Sequence, residues 1–379
     1  MRGSLRKRGE VWYGIYREPG IQNPKFVPFP GATKREAETR LNRIVEKINK
    51  GEYASDSRLT VREFLETYYL PYAKSRAAAK SFERWKDIVY LRLIPAFGGL
   101  RLSAMNPGII QRAYGEWLTT GRNGKPLAAR TVVHYHRLMR HALKHAKRLG
   151  LLGRDPSELV EAPKVVRREM TALDETQAMR LIAYARGTRL EVPVILAIHS
   201  GIRRGELCGL RWANVDFERN RIAIVRTLEE TRDGIQFKQP KSRASIRTIS
   251  LSRDVMEHLR RHKARQAETR LKRGSEWMDE DLVFPNPEAN DGSPWRPEAF
   301  GKAFAWLVKG AKVPRVRLHD LRHTSATLLL RAGISLKVVS ARLGHSTTAI
   351  TNDHYAHVIG TMDEEAADKL ADALAHAGP

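Results

Sequence analysis

Helix start signals are the feature that most constrains this chain. Thr33–Glu36 (TKRE) and Thr60–Glu63 (TVRE) each place a hydroxyl three residues before a carboxylate, and this capping box satisfies the unpaired amides of a helix N-terminus. Asn106-Pro107 is a third signal, a capping side chain followed by a proline suited to the first turn. Residues 58–165 carry helical periodicity without strand alternation. We therefore predict a largely helical chain.

Two parts of the sequence instead alternate as strands do. Glu10–Tyr16 alternates near the N-terminus, and the short apolar run Lys25–Phe29 follows it. Further along, Arg221–Val225 and Ile235–Leu251 alternate around the hairpin turn signal Asp233-Gly234. The predicted fold class is mainly α with small β-sheets (α+β), and the last part is expected to hold one small antiparallel sheet.

The chain has 379 residues, more than one ordinary hydrophobic core accommodates. The basic stretch from Ala162 to Arg168 contains a proline and has no periodicity, which is typical of a linker. We predict an N-terminal domain of sheet and helix over 1–53, an all-helical domain over 58–165 and a mostly helical domain over 168–360. The acidic segment 361–379 is predicted to be a helix that docks on a neighbouring copy or folds back on its own domain.

The charge of the chain points to a polyanionic partner. Lysine and arginine total 67 against 42 acidic residues, a formal charge of +25. Nucleic acid is the leading partner and an anionic membrane surface the second. A spanning helix needs about 18 consecutive apolar residues, and the apolar stretches here are short and interrupted. The basic N-terminus lacks the apolar stretch of a secretory signal, so we expect a cytoplasmic protein without a membrane partner.

Cysteine usage limits the chemistry further. Cys208 is the single cysteine, so an intramolecular disulfide is excluded, and no Cys-x-x-Cys motif is present to hold zinc or run redox chemistry.

Two motifs combine an arginine with a second polar residue at helical spacing. Arg203 stands three residues before Glu206, which on a helix would place both on one face. His319 stands three residues before Arg322, and imidazole with guanidinium suits a phosphate. His319 and His323 could instead be metal ligands or surface histidines, although the glutamate of the zinc-protease motif and an obvious third ligand are absent.

A third motif lies near the C-terminus. Leu343-Gly344-His345 is followed ten residues later by Tyr355, the only tyrosine after Tyr184. A lone tyrosine is ordinarily a packing residue. Its place beside a Gly-His element favours a functional role.

In this order and at these separations, the motifs resemble those of the tyrosine recombinases, the integrases of phages and mobile elements. The resemblance covers essentially the whole chain, and Leu91–Leu102 and Gly150–Pro156 resemble the family's core-binding domain. It implies an arm-type DNA-binding domain over 1–53, a core-binding domain over 58–165 and a catalytic domain with an antiparallel β-hairpin sheet over 168–360.

The resemblance also implies a role for each motif residue. Arg203 and Arg322 match the arginines that grip the scissile phosphate, and His345 matches a histidine that hydrogen-bonds it. His319 matches a general base or proton-transfer residue. Glu206 matches an acidic residue that supports the site without touching DNA.

The nucleophile and the catalytic lysine follow from the same resemblance. Tyr355 would form a covalent 3′-phosphotyrosine, and we expect nearby cations to favour its phenolate as it attacks. The family's lysine lies near a β-hairpin, and Lys241 is assigned to it with Lys238 as the alternative. This lysine would protonate the leaving 5′-oxygen.

The sequence thus predicts a site-specific recombinase that integrates or excises a mobile element. The implied partners are double-stranded DNA attachment sites, a homo-tetramer on that DNA and an accessory bending or directionality factor, with no cofactor and no metal. A type IB topoisomerase shares this chemistry and is one alternative. A non-catalytic DNA-binding homologue is the other.

Overall fold

A computed structural model describes residues 3–17, 24–49, 58–121, 124–166, 171–240, 243–353 and 355. The chain divides into two compact units, Met1–Arg167 and Arg168–Pro379. Helices dominate both units, and each holds small antiparallel sheets or hairpins, which confirms the predicted α+β class. The boundary between the units lies in the predicted linker, while the finer division into three domains stays a prediction.

The first unit begins with a three-stranded antiparallel sheet. Its strands are β1 (Ser4–Arg8), β2 (Val11–Tyr16) and β3 (Lys25–Phe29), in that order. The sheet packs on α1 (Lys34–Asn49), which starts at the predicted capping box because the Glu36 carboxylate accepts from the Thr33 amide at 2.8 Å. The strand β1 was not predicted, since its charged side chains do not alternate with apolar ones; pairing with β2 makes it a strand.

The remainder of the first unit is helical. Its helices are α2 (Val61–Glu63), α3 (Leu70–Arg76), α4 (Ala79–Ile88), α5 (Ile94–Phe97), α6 (Pro107–Thr119) and α7 (Ala129–Arg148). π-helical turns at Phe64–Tyr69 and Val89–Leu93 join neighbouring pieces. The predicted start signals are confirmed, because Thr60 and Glu63 form a capping box and Asn106 caps α6.

The second unit contains both helices and two sheets. Its helices are α8 (Glu175–Ala185), α9 (Glu191–Ser200), α10 (Arg204–Cys208), α11 (Arg253–Arg273), α12 (Pro297–Gly310), α13 (Asp320–Arg331) and α14 (Leu336–Leu343). Residues 348–353 and 355 are also helical. The buried helix α9 lies within the hydrophobic core and contacts α8, α11 and α13.

The sheets of this unit correct one prediction. The hairpin of β6 (Thr227–Thr231) and β7 (Gly234–Lys238) is present, but the stretch 235–251 is not one strand. Its second half, β8 (Arg247–Ser250), belongs to a separate sheet with β4 (Val215–Asp216) and β5 (Arg221–Ile224). Pro240 lacks the amide that a continuing ladder needs, so the strand ends there.

None of the helices in the described ranges is both long enough and apolar enough to cross a membrane.

Candidate active site

The second unit brings together most of the motif residues, beginning with Arg203. This arginine does not lie on the helix as the spacing suggested; it precedes α10 with an extended backbone, φ −75° and ψ 151°. The Glu206 carboxylate folds back and accepts from the Arg203 amide at 3.0 Å and from its guanidinium at 2.7 Å. A second guanidinium nitrogen of Arg203 donates to the Gly344 carbonyl at 3.1 Å. Arg203 is thereby held next to His345.

Glu206 holds two guanidiniums and is itself buried, with 3% of its surface exposed. Its other partner is Arg247, whose Nη2 donates to Oε2 at 2.9 Å. Burial alone would raise the pKa of Glu206, but the hydrogen bond and charge of Arg247, and then those of Arg203, hold it below its ordinary value. The group is an ionised carboxylate that orients both arginines.

Sequence reasoning missed the importance of Arg247. The residue lies on β8 with a side chain only 6% exposed. It also donates to the carbonyl of Arg342 at 2.7 Å and to that of Ser245 at 3.0 Å. An arginine in a short alternating strand was the available signal, and only the fold reveals that it joins β8 to the end of α14.

Arg322 lies on α13 and is 3% exposed. Its Nη1 donates to the Gly201 carbonyl at 2.9 Å, whereas its Nη2 is buried and has no hydrogen-bond partner within the described ranges. Burial, followed by the charges of Arg203 and Arg247, lowers the pKa of Arg322 to about 9. A buried guanidinium with an unused donor, crowded by other cations, is suited to bind an anion.

Two histidines of the predicted set stand near these arginines. His319 is at the start of α13, and burial, followed by the charge of Arg322, lowers its pKa. His345 follows the left-handed Gly344 (φ +69°), and its Nδ1 lies 2.7 Å from the Thr351 hydroxyl. A side chain at position 344 would come 2.8 Å from the Ala244 carbonyl, so the turn requires glycine.

Tyr355 is 2% exposed and packs in a small hydrophobic cluster with Ala326, Leu330 and Leu343. Its hydroxyl lies 2.7 Å from Nδ1 of His323. Burial raises the pKa of the phenol and the charge of Arg322 opposes that rise. Arg322 thus acts in the expected direction, since its charge favours the phenolate, but burial outweighs it in the protein without DNA. That cations favour the phenolate during the attack on DNA stays a prediction.

The structure does not decide which lysine is the catalytic one. Lys241 lies outside the described residues. The alternative, Lys238, ends β7 and forms an ion pair with Glu229 on the opposite strand of the hairpin. The choice between them therefore stays a prediction.

A basic groove opens beside the arginines. It has a volume of about 1290 Å³, and Arg203 and His319 line one part of it. Its other lining residues include Lys302, Arg315 and Trp306, whose indole is 74% exposed on α12. Cationic side chains with an exposed aromatic ring suit a nucleic acid.

Within the described residues, His319 and His323 have no third partner that would complete a metal site. No group of three or more histidine, cysteine, aspartate or glutamate side chains in the described parts of the chain could hold a metal ion.

Comparison with known proteins identifies the family. The model of the phage integrase family matches residues 171–361, about half of the chain. The chain belongs to the phage integrase family. It is a tyrosine recombinase, an enzyme that breaks and rejoins DNA strands. The topoisomerase and non-catalytic alternatives are not favoured, since the curated relatives are integrases and recombinases.

Curated relatives align with more than half of this integrase. A XerC-like tyrosine recombinase of Caldanaerobacter subterraneus is 26% identical over 97% of each sequence. The ICEBs1 integrase of Bacillus subtilis is 26% identical over 59% of this chain and 60% of its own sequence.

Solved integrase structures share the fold. The Tn1549 transposon integrase, in complex with transposon right end DNA, has a TM-score of 0.68 at 19% identity, covering 83% of this chain and all of that one. A lambda integrase dimer bound to a core site has a TM-score of 0.59 at 16% identity, covering 92% and 93% of the two chains.

Proposed function

We propose that Tyr355 attacks a DNA phosphodiester gripped by Arg203, Arg322 and His345, and that the chain thereby integrates or excises the DNA of a phage or mobile element at specific sites. The observation that carries this proposal is the buried Nη2 of Arg322, which has no hydrogen-bond partner among the described residues and lies in a site crowded by cations. The guanidinium that bears this donor acts electrostatically on Tyr355.

Charge neutralisation is what such a reaction needs most. Negative charge grows on the nonbridging oxygens of the phosphate as the nucleophile approaches, and preorganised donors stabilise it. Glu206 holds Arg203 in place beforehand, and the Gly201 carbonyl holds Arg322. Little reorganisation is then needed at the moment of reaction.

The bond changes follow from the nucleophile. A bond forms between the Tyr355 oxygen and phosphorus, the bond from phosphorus to the 5′-oxygen breaks, and a 3′-phosphotyrosine remains. We assign the proton for the leaving 5′-oxygen to Lys241, with Lys238 as the alternative. Because the phosphotyrosyl bond retains the energy of the phosphodiester, a 5′-hydroxyl from another strand can reverse the step without ATP.

The proposed partner is double-stranded DNA carrying the attachment sites. Solved structures contain lambda integrase as a dimer on a core site and as a tetramer on a Holliday junction. By analogy we propose a homo-tetramer for this chain, with an accessory bending or directionality factor. The division into domains 1–53, 58–165 and 168–360 belongs to the same proposal. The acidic segment 361–379, which lies outside the described residues, remains a candidate protomer contact.

The decisive experiment traps the covalent intermediate. The full chain is incubated with a plasmid library of the DNA that flanks its gene, and the cleavage sites are mapped by sequencing the covalent adducts. A nicked suicide duplex carrying the mapped site is then resolved on a denaturing gel. We expect an adduct with the wild-type chain and none with Tyr355→Phe, because the variant lacks the nucleophilic oxygen.

Tyr184→Phe is the matched control, since Tyr184 is 52% exposed and lies on α8 outside the site. It should form the adduct at the wild-type rate. An adduct that persists in Tyr355→Phe would contradict the assignment. Recombination between two mapped sites on one plasmid, measured beside plasmid relaxation, then tests whether strand exchange is the outcome.

A further inference from the structure

The hydrogen bond between His323 and the nucleophile plays no part in the reaction steps proposed above. His323 lies on α13, one residue after Arg322, and its Nδ1 is 2.7 Å from the Tyr355 hydroxyl. That distance is within the range of a good hydrogen bond. The two rings are inclined at 49° with centroids 5.9 Å apart, so the contact runs through the polar atoms and not through stacking.

The direction of this hydrogen bond depends on the tautomer of His323. A neutral imidazole has one donor nitrogen and one acceptor nitrogen. Burial raises the pKa of the Tyr355 phenol, so the phenol keeps its proton in the protein without DNA. A protonated phenol donates to Nδ1 when the ring carries its own proton on Nε2, and this is the tautomer that a base at Nδ1 requires.

We propose that His323 is the general base of strand cleavage: its Nδ1 takes the phenolic proton as the Tyr355 oxygen attacks phosphorus. As that oxygen–phosphorus bond forms, the proton moves to Nδ1, His323 becomes imidazolium, and the 5′-oxygen leaves with a proton from the lysine. In the reverse step the imidazolium returns its proton to the tyrosine oxygen. The inference rests on the proposed function, and it moves the proton-transfer role that the resemblance implied for His319 to His323.

The surroundings of His323 are consistent with a base. Asp320 lies one turn earlier on α13, and its carboxylate would stabilise an imidazolium at His323. The ring of His319 stands edge-on to that of His323 at 5.7 Å between centroids. Arg322 acts electrostatically on Tyr355, and its positive charge stabilises the phenolate that proton transfer leaves.

Two variants separate proton acceptance from mere positioning. In His323→Asn the amide oxygen occupies nearly the place of Nδ1 and can still accept the hydrogen bond, but an amide does not take up a proton at neutral pH. In His323→Phe the acceptor is lost as well. Adduct formation is measured in a single turnover on the nicked suicide duplex, and DNA affinity is measured on the same duplex.

The expected result is a large loss of rate in both variants. General base catalysis contributes about 10²–10⁴-fold, so His323→Asn should form the adduct slower by that factor with DNA affinity unchanged. The wild-type rate should rise with pH as His323 loses its proton, and His323→Asn should lose this limb of the profile. His258→Asn, a histidine of α11 outside the site, should keep both the rate and the profile.

Three results would overturn the inference. If His323→Asn cleaves at the wild-type rate, the hydrogen bond only positions Tyr355. If His323→Asn cleaves faster than the wild-type chain, the hydrogen bond restrains Tyr355. A pH limb that survives in His323→Asn but disappears in His319→Asn makes His319 the base.

A measurement without DNA keeps this inference distinct from the proposed function. In protein with ¹⁵N-labelled histidine, His323 should show a bare Nδ1 whose resonance shifts in Tyr355→Phe, whereas a proton resident on Nδ1 of neutral His323 contradicts the donor direction. If the wild-type chain forms no adduct with any flanking DNA, the proposed function fails and this role fails with it. If adduct formation does not depend on His323, only the inference about His323 fails and the proposed function stands.

Discussion

At the scale of single residues, the site depends on one buried carboxylate. Glu206 accepts from Arg203 and Arg247, and each arginine then reaches a carbonyl of the loop that ends α14 or of α14 itself. One ion-pair network therefore ties the residue before α10 to β8 and to the turn that presents His345.

Glu206→Gln is predicted to destabilise the fold as well as the site. The variant keeps the shape but leaves Arg247 buried without its counter-charge, and breaking such a pair costs about 3–5 kcal/mol. The free energy of unfolding, measured in urea at pH 7, should fall accordingly. A loss below about 1 kcal/mol would mean that water reaches Arg247 and screens it.

Glu206 also makes the free energy of unfolding depend on pH, and the sign of this dependence is defined. The pKa of Glu206 is lower in the folded chain than its ordinary value of 4.5, so its stabilisation is fully present above that value. Stability is lost as pH falls through the folded pKa, and Glu206→Gln should lack this part of the acid-induced loss. The two unfolding free energies should therefore converge below pH 4.5.

At the scale of elements, the end of α9 decides where two arginines stand. Gly201 closes the helix in a left-handed conformation (φ +62°) and offers its carbonyl to Arg322, while Arg203 follows two residues later. A side chain at position 201 would come 2.5 Å from Cδ2 of Leu343, which is itself fully buried.

Gly201→Ala is therefore predicted to combine backbone strain with overpacking. The left-handed conformation costs an alanine about 1–2 kcal/mol and the overpacked contact about 1–3 kcal/mol more. Gly333→Ala is the control, since Gly333 has φ +78° with open space where a β-carbon would stand, and so it bears the strain alone. Urea midpoints compare the two variants, and equal losses would show that Leu343 moves aside without cost.

At the scale of the whole molecule, the formal charge of +25 favours binding to a polyanion such as DNA. Both units contain basic surface, and the groove beside Arg203 is one part of it in the second unit. Phosphate contacts release counterions from DNA, so affinity carries a strong dependence on salt.

We predict that the affinity of the full chain for its mapped duplex falls about 10³–10⁵-fold between 50 and 200 mM salt, as for a protein that contacts six to ten phosphates. Fluorescence anisotropy at several salt concentrations gives the slope. An affinity that hardly responds to salt would show that the excess charge does not contact the DNA backbone.

The sequence by itself determined the fold class and the helix starts at Thr60 and Asn106, and it supplied most of the candidate site residues. Capping signals act within four residues, so Thr60 and Asn106 could be recognised without tertiary information. The recurring motifs around Arg203, His319 and Tyr355 could be recognised for a similar reason, since the resemblance depends on residue type and order alone.

Only the tertiary structure decided how these residues interact. The strand from 235 to 251 divides between two sheets, the buried Arg247 joins Glu206, and His323 meets Tyr355 across 32 positions of sequence. Hydrogen bonds and burial at such separations depend on packing among α9, β8, α13 and α14, which local periodicity does not encode. The raised pKa of Tyr355 has the same origin, because burial is a property of the assembled core and not of the residue.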